Sequence, residues 1–165
     1  MPKAKYQFED FLIIIKDEYK SFVTTVHELM LQDGCRPKIE ITKSNGFQLA
    51  YFQPKVKSVA GRILILYFHH EELTVRIHIE NHTKYPKLLN DLPEQAVHQV
   101  DKASDCVKFA NPEKCWQGCK GYDFYIGEKH YQKCIVNCLQ VKIDSESIPV
   151  LLELIKSESK ARCAS

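Results

Sequence analysis

The sequence has little of what carries a chain into a membrane or onto a nucleic acid. Its longest apolar runs, residues 11–15 and 63–68, are far shorter than the roughly 20 residues that cross a bilayer. Glu9 and Asp10 interrupt the start of the chain before the first run, a pattern unlike that of a signal peptide. The formal net charge is only +2, which gives little attraction for a polyanion. We therefore expect a cytoplasmic protein with no membrane partner and no nucleic-acid partner.

The common catalytic motifs are also missing. The chain contains no His-Glu-x-x-His zinc motif, no serine nucleophile elbow and no glycine-rich phosphate loop. The sequence therefore assigns no catalytic residue. An enzyme of unknown reaction is only the third interpretation of its function.

Hydrophobic periodicity predicts the secondary structure. Apolar residues at three- and four-residue spacing predict one long amphipathic helix over residues 5–33. Alternating apolar residues from 38 to 80, with a turn at Asn45-Gly46, predict a four-stranded meander. Prolines 86 and 93 suit the starts of two short helices. A hairpin follows, with strands at 123–126 and 130–143 and a turn at Gly127-Glu128. A helix over 146–158 comes last, and we expect 159–165 to be frayed.

This order of elements predicts one α+β domain over residues 1–165, since strands and helices occur in blocks. We expect an antiparallel sheet packed against a long N-terminal helix and a C-terminal helix. A cysteine-rich lobe at about 105–138 completes the predicted architecture.

Two groups of residues resemble known families. Cys35-Arg36-Pro37-Lys38-Ile39-Glu40 after the long helix, the meander, and Tyr85-Pro86-Lys87-Leu88-Leu89 resemble the small bacterial YdhG-like and YjbR-like domains. The stretches Cys115 to Cys119, Gly121-Tyr122-Asp123-Phe124 and Tyr131-Gln132-Lys133-Cys134 resemble a cysteine-bearing branch of uncharacterised bacterial proteins. The first resemblance covers roughly half of the chain and implies a small bacterial α+β domain. Neither implies an activity, and the YdhG-like pattern lacks the cysteine-rich insert.

Cysteine is the unusual residue of this chain. There are 7 in total, and five of them lie between residues 106 and 138. In a reducing compartment such cysteines are more often thiols, metal ligands or redox centres than structural disulfides. The leading interpretation is a structural zinc site, which would replace the core that this segment lacks. Buried thiols that only pack, and a redox switch or disulfides, remain the alternatives.

The hairpin turn suggests which cysteines bind the metal. A turn at Gly127-Glu128 places Cys134 opposite Gly121, two residues from Cys119. Cys134 and Cys138, on one continuous strand, would lie about 13 Å apart, whereas two sulfurs on one zinc lie within about 4 Å of each other. The predicted zinc ligands are Cys106, Cys115, Cys119 and Cys134. Cys35, Cys138 and Cys163 are expected to take no part.

Six basic residues in the predicted sheet region could line one of its faces, among aromatic residues: Lys38, Lys43, Lys55, Lys57, Arg62 and Arg76. Such a face suits a phosphate-rich or single-stranded nucleic-acid partner. Nearby acids weaken its field, so we interpret it as a solvated sheet face. Within it, Arg76 and His78 are the candidate ligand-binding residues, provided that Arg76 proves buried and paired.

The resulting functional hypothesis is a zinc-stabilised binding or accessory module. Its partner would be an unknown small molecule or protein. A thiol-based redox or metal sensor is the second hypothesis, in which the same cysteines change state.

Overall fold

The computed structural model describes residues 5–44, 46–136 and 138–163. These residues form six α-helices and seven strands. The helices are α1 (Phe8–Ile14), α2 (Asp17–Gln32), α3 (Pro86–Asn90), α4 (Glu94–Lys102), α5 (Val107–Ala110) and α6 (Ser147–Cys163). The strands are β1 (Arg36–Thr42), β2 (Gly46–Phe52), β3 (Arg62–His69), β4 (Glu72–Ile77), β5 (Tyr122–Ile126), β6 (Lys129–Lys133) and β7 (Gln140–Lys142).

The strands form one large sheet and one hairpin. The large sheet is antiparallel in the order β1-β2-β3-β4-β7, and β5 pairs with β6 alone. The predicted meander is confirmed as β1 to β4. Asn45 of its predicted turn lies outside the described residues, but Thr42 pairs with Gly46 across that turn.

The helices pack on one face of the sheet, because that face carries the apolar residues of each strand. Leu49, Leu66 and Val75 from three neighbouring strands have no exposed surface. They share one core with residues from α2 and α6, among them Phe22, Val26, Met30, Leu151, Leu154 and Ile155. The predicted α+β class is therefore confirmed, with the antiparallel sheet packed against N-terminal and C-terminal helices.

The predicted long N-terminal helix is two helices. Ile15 and Lys16 both have extended backbone, with ψ angles of 155° and 151°. Two acids, Asp17 and Glu18, open the second helix, where negative charge favours a helix N-terminus. Three β-branched residues, Ile13 to Ile15, lie at this break, and such residues lower helix propensity because their side chains are stiff.

The predicted strand over 130–143 is also divided. β6 ends at Lys133, and β7 begins at Gln140 beside β4 in the other sheet. Cys138 and Leu139, between these strands, are buried in the main core. The chain therefore leaves the hairpin after Lys133 and crosses to the large sheet. Because Tyr122, Phe124 and Tyr131 of the hairpin also pack in that core, the structure does not clearly set residues 105–138 apart as a lobe.

The C-terminal helix is longer than the sequence predicts. It continues through Cys163, and Ser159 and Arg162 in its last turns are buried. The expectation of a frayed end from residue 159 is wrong for residues 159–163. Within the described residues, the structure contains no helix of sufficient length and apolar character to cross a membrane.

Candidate functional site

Arg62, Arg76 and His78 meet on the face of the sheet opposite the helices. Their positions follow from strand alternation, since Val75 and Ile77 point into the core. Arg76 is half-buried, and its Nε and Nη2 donate to Gln140 Oε1 at 3.3 and 3.0 Å. Its guanidinium carbon also lies 5.9 Å from the centre of the Tyr67 ring. Arg76 is thus paired but only half-buried, so the condition that marks this face as a candidate site is met in part.

Two nitrogen atoms of this group are buried without a hydrogen-bond partner among the described residues. They are Arg62 Nε and His78 Nε2. An unpaired buried polar atom costs about 1–3 kcal/mol, so such atoms mark places where a ligand or water completes the structure. Both atoms belong to the cationic group on the outer sheet face.

Burial and the nearby arginines lower the pKa of the His78 imidazole, and the backbone of Ile135 opposes these larger effects. Its Nε2 is buried and has no hydrogen-bond partner among the described residues. Once protonated, Nε2 would be a donor beside Arg62.

Positive charge is concentrated around this ring. Burial, followed by the charges of Arg62, Arg76 and Arg162, lowers the pKa of His78 from 6.5 to about 3. Burial and the neighbouring Arg76 also lower the pKa of Arg62, while Glu40 acts in the opposite direction. The group is therefore electrostatically suited to an anion.

Arg162 of α6 binds the backbone of two residues of this group. Its Nη1 donates to the carbonyl oxygens of Arg62 and His78, at 3.1 and 2.9 Å. Its Nη2 donates to Gln53 Oε1 and to the Ala60 carbonyl, at 3.1 and 3.0 Å. Only 3% of its side chain is exposed, and its Nε is a further buried atom without a partner among the described residues. One buried guanidinium thus fixes the backbone of both site residues.

A second cluster contains three of the four predicted zinc ligands. Burial raises the pKa of the Cys119 thiol, and the backbone of Gly121 opposes this effect. The neighbouring Cys115 and Cys106 raise the pKa further. A side chain at Gly121 would place its Cβ 2.8 Å from the Cys106 sulfur, and Gly121 has a φ of +67°. Glycine is therefore required here, and its absent side chain leaves room for these thiols.

Cys134, the fourth predicted ligand, directly follows β6. The register that pairs Tyr122 with Lys133 would, one step further, place Cys134 opposite Gly121. The Cys134 N–H donates to the Ser104 carbonyl, and the Cys106 N–H donates to the Gln132 carbonyl, both at 2.9 Å. Residues 104–106 therefore run along β6 and bring Cys106 and Cys134 to the same edge.

The fit of this cluster to a metal ion is incomplete. In the described part of the chain, no three or more histidine, cysteine or acidic side chains are arranged to hold one. Cys106 does line an open cleft of about 420 Å³, together with Asp105, Phe109, Ala110, His130 and Gln132. An ion could reach Cys106 from solvent, but the other sulfurs would have to move toward it.

Cys138 is separated from this cluster by its burial in the main core, where it has no exposed surface. Burial raises the pKa of its thiol to about 12, and the charge of Cys134 adds to this effect. Cys134 and Cys138 therefore influence each other electrostatically, because the strand that the sequence predicted between them is broken. The 13 Å separation assumed for a continuous strand does not apply.

The chain matches no protein-family model, no curated protein and no solved structure. Its candidate sites are therefore interpreted from their own geometry.

The buried imidazole predicts a pH-dependent stability. At pH 7, His78 is neutral in both folded and unfolded chains. As the pH falls below about 6.5, only the unfolded chain takes up this proton, because the folded pKa is about 3. Unfolding should thus become easier between pH 6 and 4, with a His78 contribution of at most about 1.4 kcal/mol per pH unit.

Urea unfolding at several pH values checks this prediction. His78→Gln should flatten the pH dependence in this window, whereas the exposed His98→Gln should leave it nearly unchanged. Equal slopes in the two variants would contradict a buried neutral His78.

Proposed function

We propose that the chain is a non-enzymatic binding module for a small molecule that carries a phosphate-type oxyanion. The ligand would occupy the outer face of the sheet at Arg62, Arg76 and His78. The observation that supports this most is the pair of buried, unpartnered nitrogens in one cationic group, Arg62 Nε and His78 Nε2. An oxyanion offers the acceptor that Arg62 Nε needs, and it offers one to His78 Nε2 when that nitrogen carries a proton.

The guanidinium groups favour phosphate over a simple carboxylate. Arg62 and Arg76 come from neighbouring strands. Burial lowers the pKa of Arg62, and the charge of Arg76 lowers it further. Arginine donates in a planar fork that matches oxyanion geometry. Two guanidinium groups and a ring nitrogen would contact the anion from three directions. A tetrahedral anion fits this arrangement better than a planar one.

A small apolar cluster lies beside this group, and one of its aromatic side chains, Phe52, is partly exposed. Tyr67 lies under Arg76, and it forms a small apolar cluster with Ala50 and Ile65, against which Phe52 packs. This cluster is separate from the main core. Ala50, Ile65 and Tyr67 are only 2%, 1% and 8% exposed. An apolar group of a phosphate ester would therefore contact the half-buried Phe52 while its phosphate faces the arginines.

Anion binding is expected to be linked to proton uptake. Negative charge next to His78 offsets the three arginines that lower its pKa, and protonated Nε2 would donate to the anion. Binding should therefore tighten as the pH falls, by up to about tenfold per pH unit for one proton. Sulfate separates this effect from the titration of phosphate itself, since sulfate keeps its charge across this range.

Isothermal titration calorimetry with inorganic phosphate, sulfate and acetate tests the site. We expect saturable binding of phosphate and sulfate, with acetate weaker. Arg62→Gln and Arg76→Gln should weaken binding at least about tenfold, the order expected for a lost charge-assisted hydrogen bond. Lys57→Gln removes the same charge from an exposed position and should bind like the unaltered protein.

His78→Gln should abolish the pH dependence of sulfate binding. The proposal is wrong if the unaltered chain shows no saturable phosphate binding. It is also wrong if the Lys57 variant loses as much affinity as the two arginine variants.

We also propose that zinc stabilises the cysteine segment, with Cys106, Cys115, Cys119 and Cys134 as its ligands. The observations in favour are the Cys106 sulfur next to Gly121 and the influence of both Cys106 and Cys115 on the Cys119 thiol. Because metal binding and folding are coupled in small cysteine sites, the sulfurs would be drawn together by the ion. The zinc would hold the segment and take no part in a reaction.

Metal analysis of protein purified without added metal tests this second proposal. Cys119→Ser should lose zinc, and a chelator should loosen residues 105–121 in hydrogen exchange. Cys138→Ala should keep the metal and lose only packing energy. Reduced protein that fails to take up one equivalent of zinc in a titration would rule out the site.

A further inference from the structure

Cys35 and Cys163 lie far apart in sequence but almost touch. Their sulfur atoms are 2.7 Å apart, although 128 positions separate the two residues, and both are free thiols. A disulfide bond measures about 2.05 Å. A shift of less than one ångström would therefore bring the sulfurs to bonding distance.

The backbone on each side holds these sulfurs in place. The Cys35 N–H donates to the Met30 carbonyl at 2.9 Å, and the Gly34 N–H donates to Leu31 at the same distance. Gly34 has a φ of +77°, so this is the hydrogen-bonded turn that often ends a helix. Cys163 is the last residue of α6, which shares the main core with α2.

The two thiols differ in how reagents reach them. Only 3% of Cys35 is exposed, and burial, followed by the neighbouring Cys163, raises its pKa to about 12. Cys163 is half-buried. Burial raises its pKa as well, but the hydrogen bond from Cys35 and the charge of Arg162 act in the opposite direction. Cys163 is therefore the thiol that an oxidant meets first.

We propose that Cys35 and Cys163 form a reversible disulfide, a redox-sensitive clamp between the end of α2 and the end of α6. This site is distinct from the proposed anion and zinc sites, and neither proposal depends on it.

The oxidant is a hydroperoxide, with hydrogen peroxide as the simplest case. The Cys163 thiolate attacks one peroxide oxygen, and the O–O bond breaks. Hydroxide is the leaving group, and Cys163 becomes a sulfenic acid. The Cys35 sulfur then attacks the Cys163 sulfur, the S–O bond breaks, and the hydroxyl leaves as water with the Cys35 proton. Two thiols are oxidised to one disulfide, and peroxide is reduced to two waters.

Peroxide treatment of the full reduced chain tests the clamp. We expect the mass of two hydrogen atoms to be lost per disulfide, and peptide mapping to link the segments that contain Cys35 and Cys163. Oxidation should also raise the midpoint of thermal unfolding, because the cross-link closes a long loop of the unfolded chain. Dithiothreitol should reverse both changes.

Matched variants separate this clamp from the other cysteines. Cys163→Ser should lose the linked peptide and the thermal shift. Cys138→Ala, which leaves the proposed zinc ligands in place, should retain both. If Cys163→Ser fails to fold, alkylation of the oxidised, denatured wild-type chain decides the matter, since both thiols should be protected. The proposal is overturned if Cys35 remains alkylatable after peroxide has consumed other cysteines.

Discussion

The buried guanidinium of Arg162 is the constraint on which the proposed site depends. It binds carbonyl oxygens at the start of β3, at the end of β4 and in the loop between β2 and β3. Four residues earlier on α6, the fully buried Glu158 accepts from the Glu80 N–H at 2.6 Å and from Tyr85 Oη at 3.0 Å. A charge taken out of water is costly unless it is fully paired. The end of α6 and these segments therefore have to keep their relative positions.

This constraint connects the core to the outer sheet face. Arg162 holds Arg62 and His78 by their backbones and also adds positive charge beside the imidazole. Arg162 is itself paired with Glu80 and Glu158, at 3.3 and 3.9 Å. By contrast, burial and repulsion from Arg76 both lower the pKa of Arg62. An incoming anion would relieve that repulsion. The same end of α6 carries Cys163, so the proposed clamp would hold the helix turn that positions the anion site.

Periodicity in the sequence predicts the parts of this fold that depend on apolar burial. Alternation predicts the meander, and the turn at Gly127-Glu128 predicts the hairpin register, in which Ile126 pairs with Lys129. The burial of Glu158 and Arg162 could not be predicted, because charged residues near a helix end are usually exposed to solvent. Their partners come from segments roughly eighty to a hundred residues away. The break after Lys133 also escapes prediction, since the apolar pattern continues across it.

The free energy of unfolding of Arg162→Met, measured in urea beside Lys160→Met, tests the role of this arginine most directly. Lys160 lies on the same helix and is exposed, so its variant controls for charge and helix propensity. Arg162 Nη1 lies 3.9 Å from Glu158 Oε1. Loss of Arg162 leaves Glu158 and several carbonyl oxygens without their cation, which predicts a loss of about 3–5 kcal/mol relative to the control. Equal stabilities of the two variants would contradict the account.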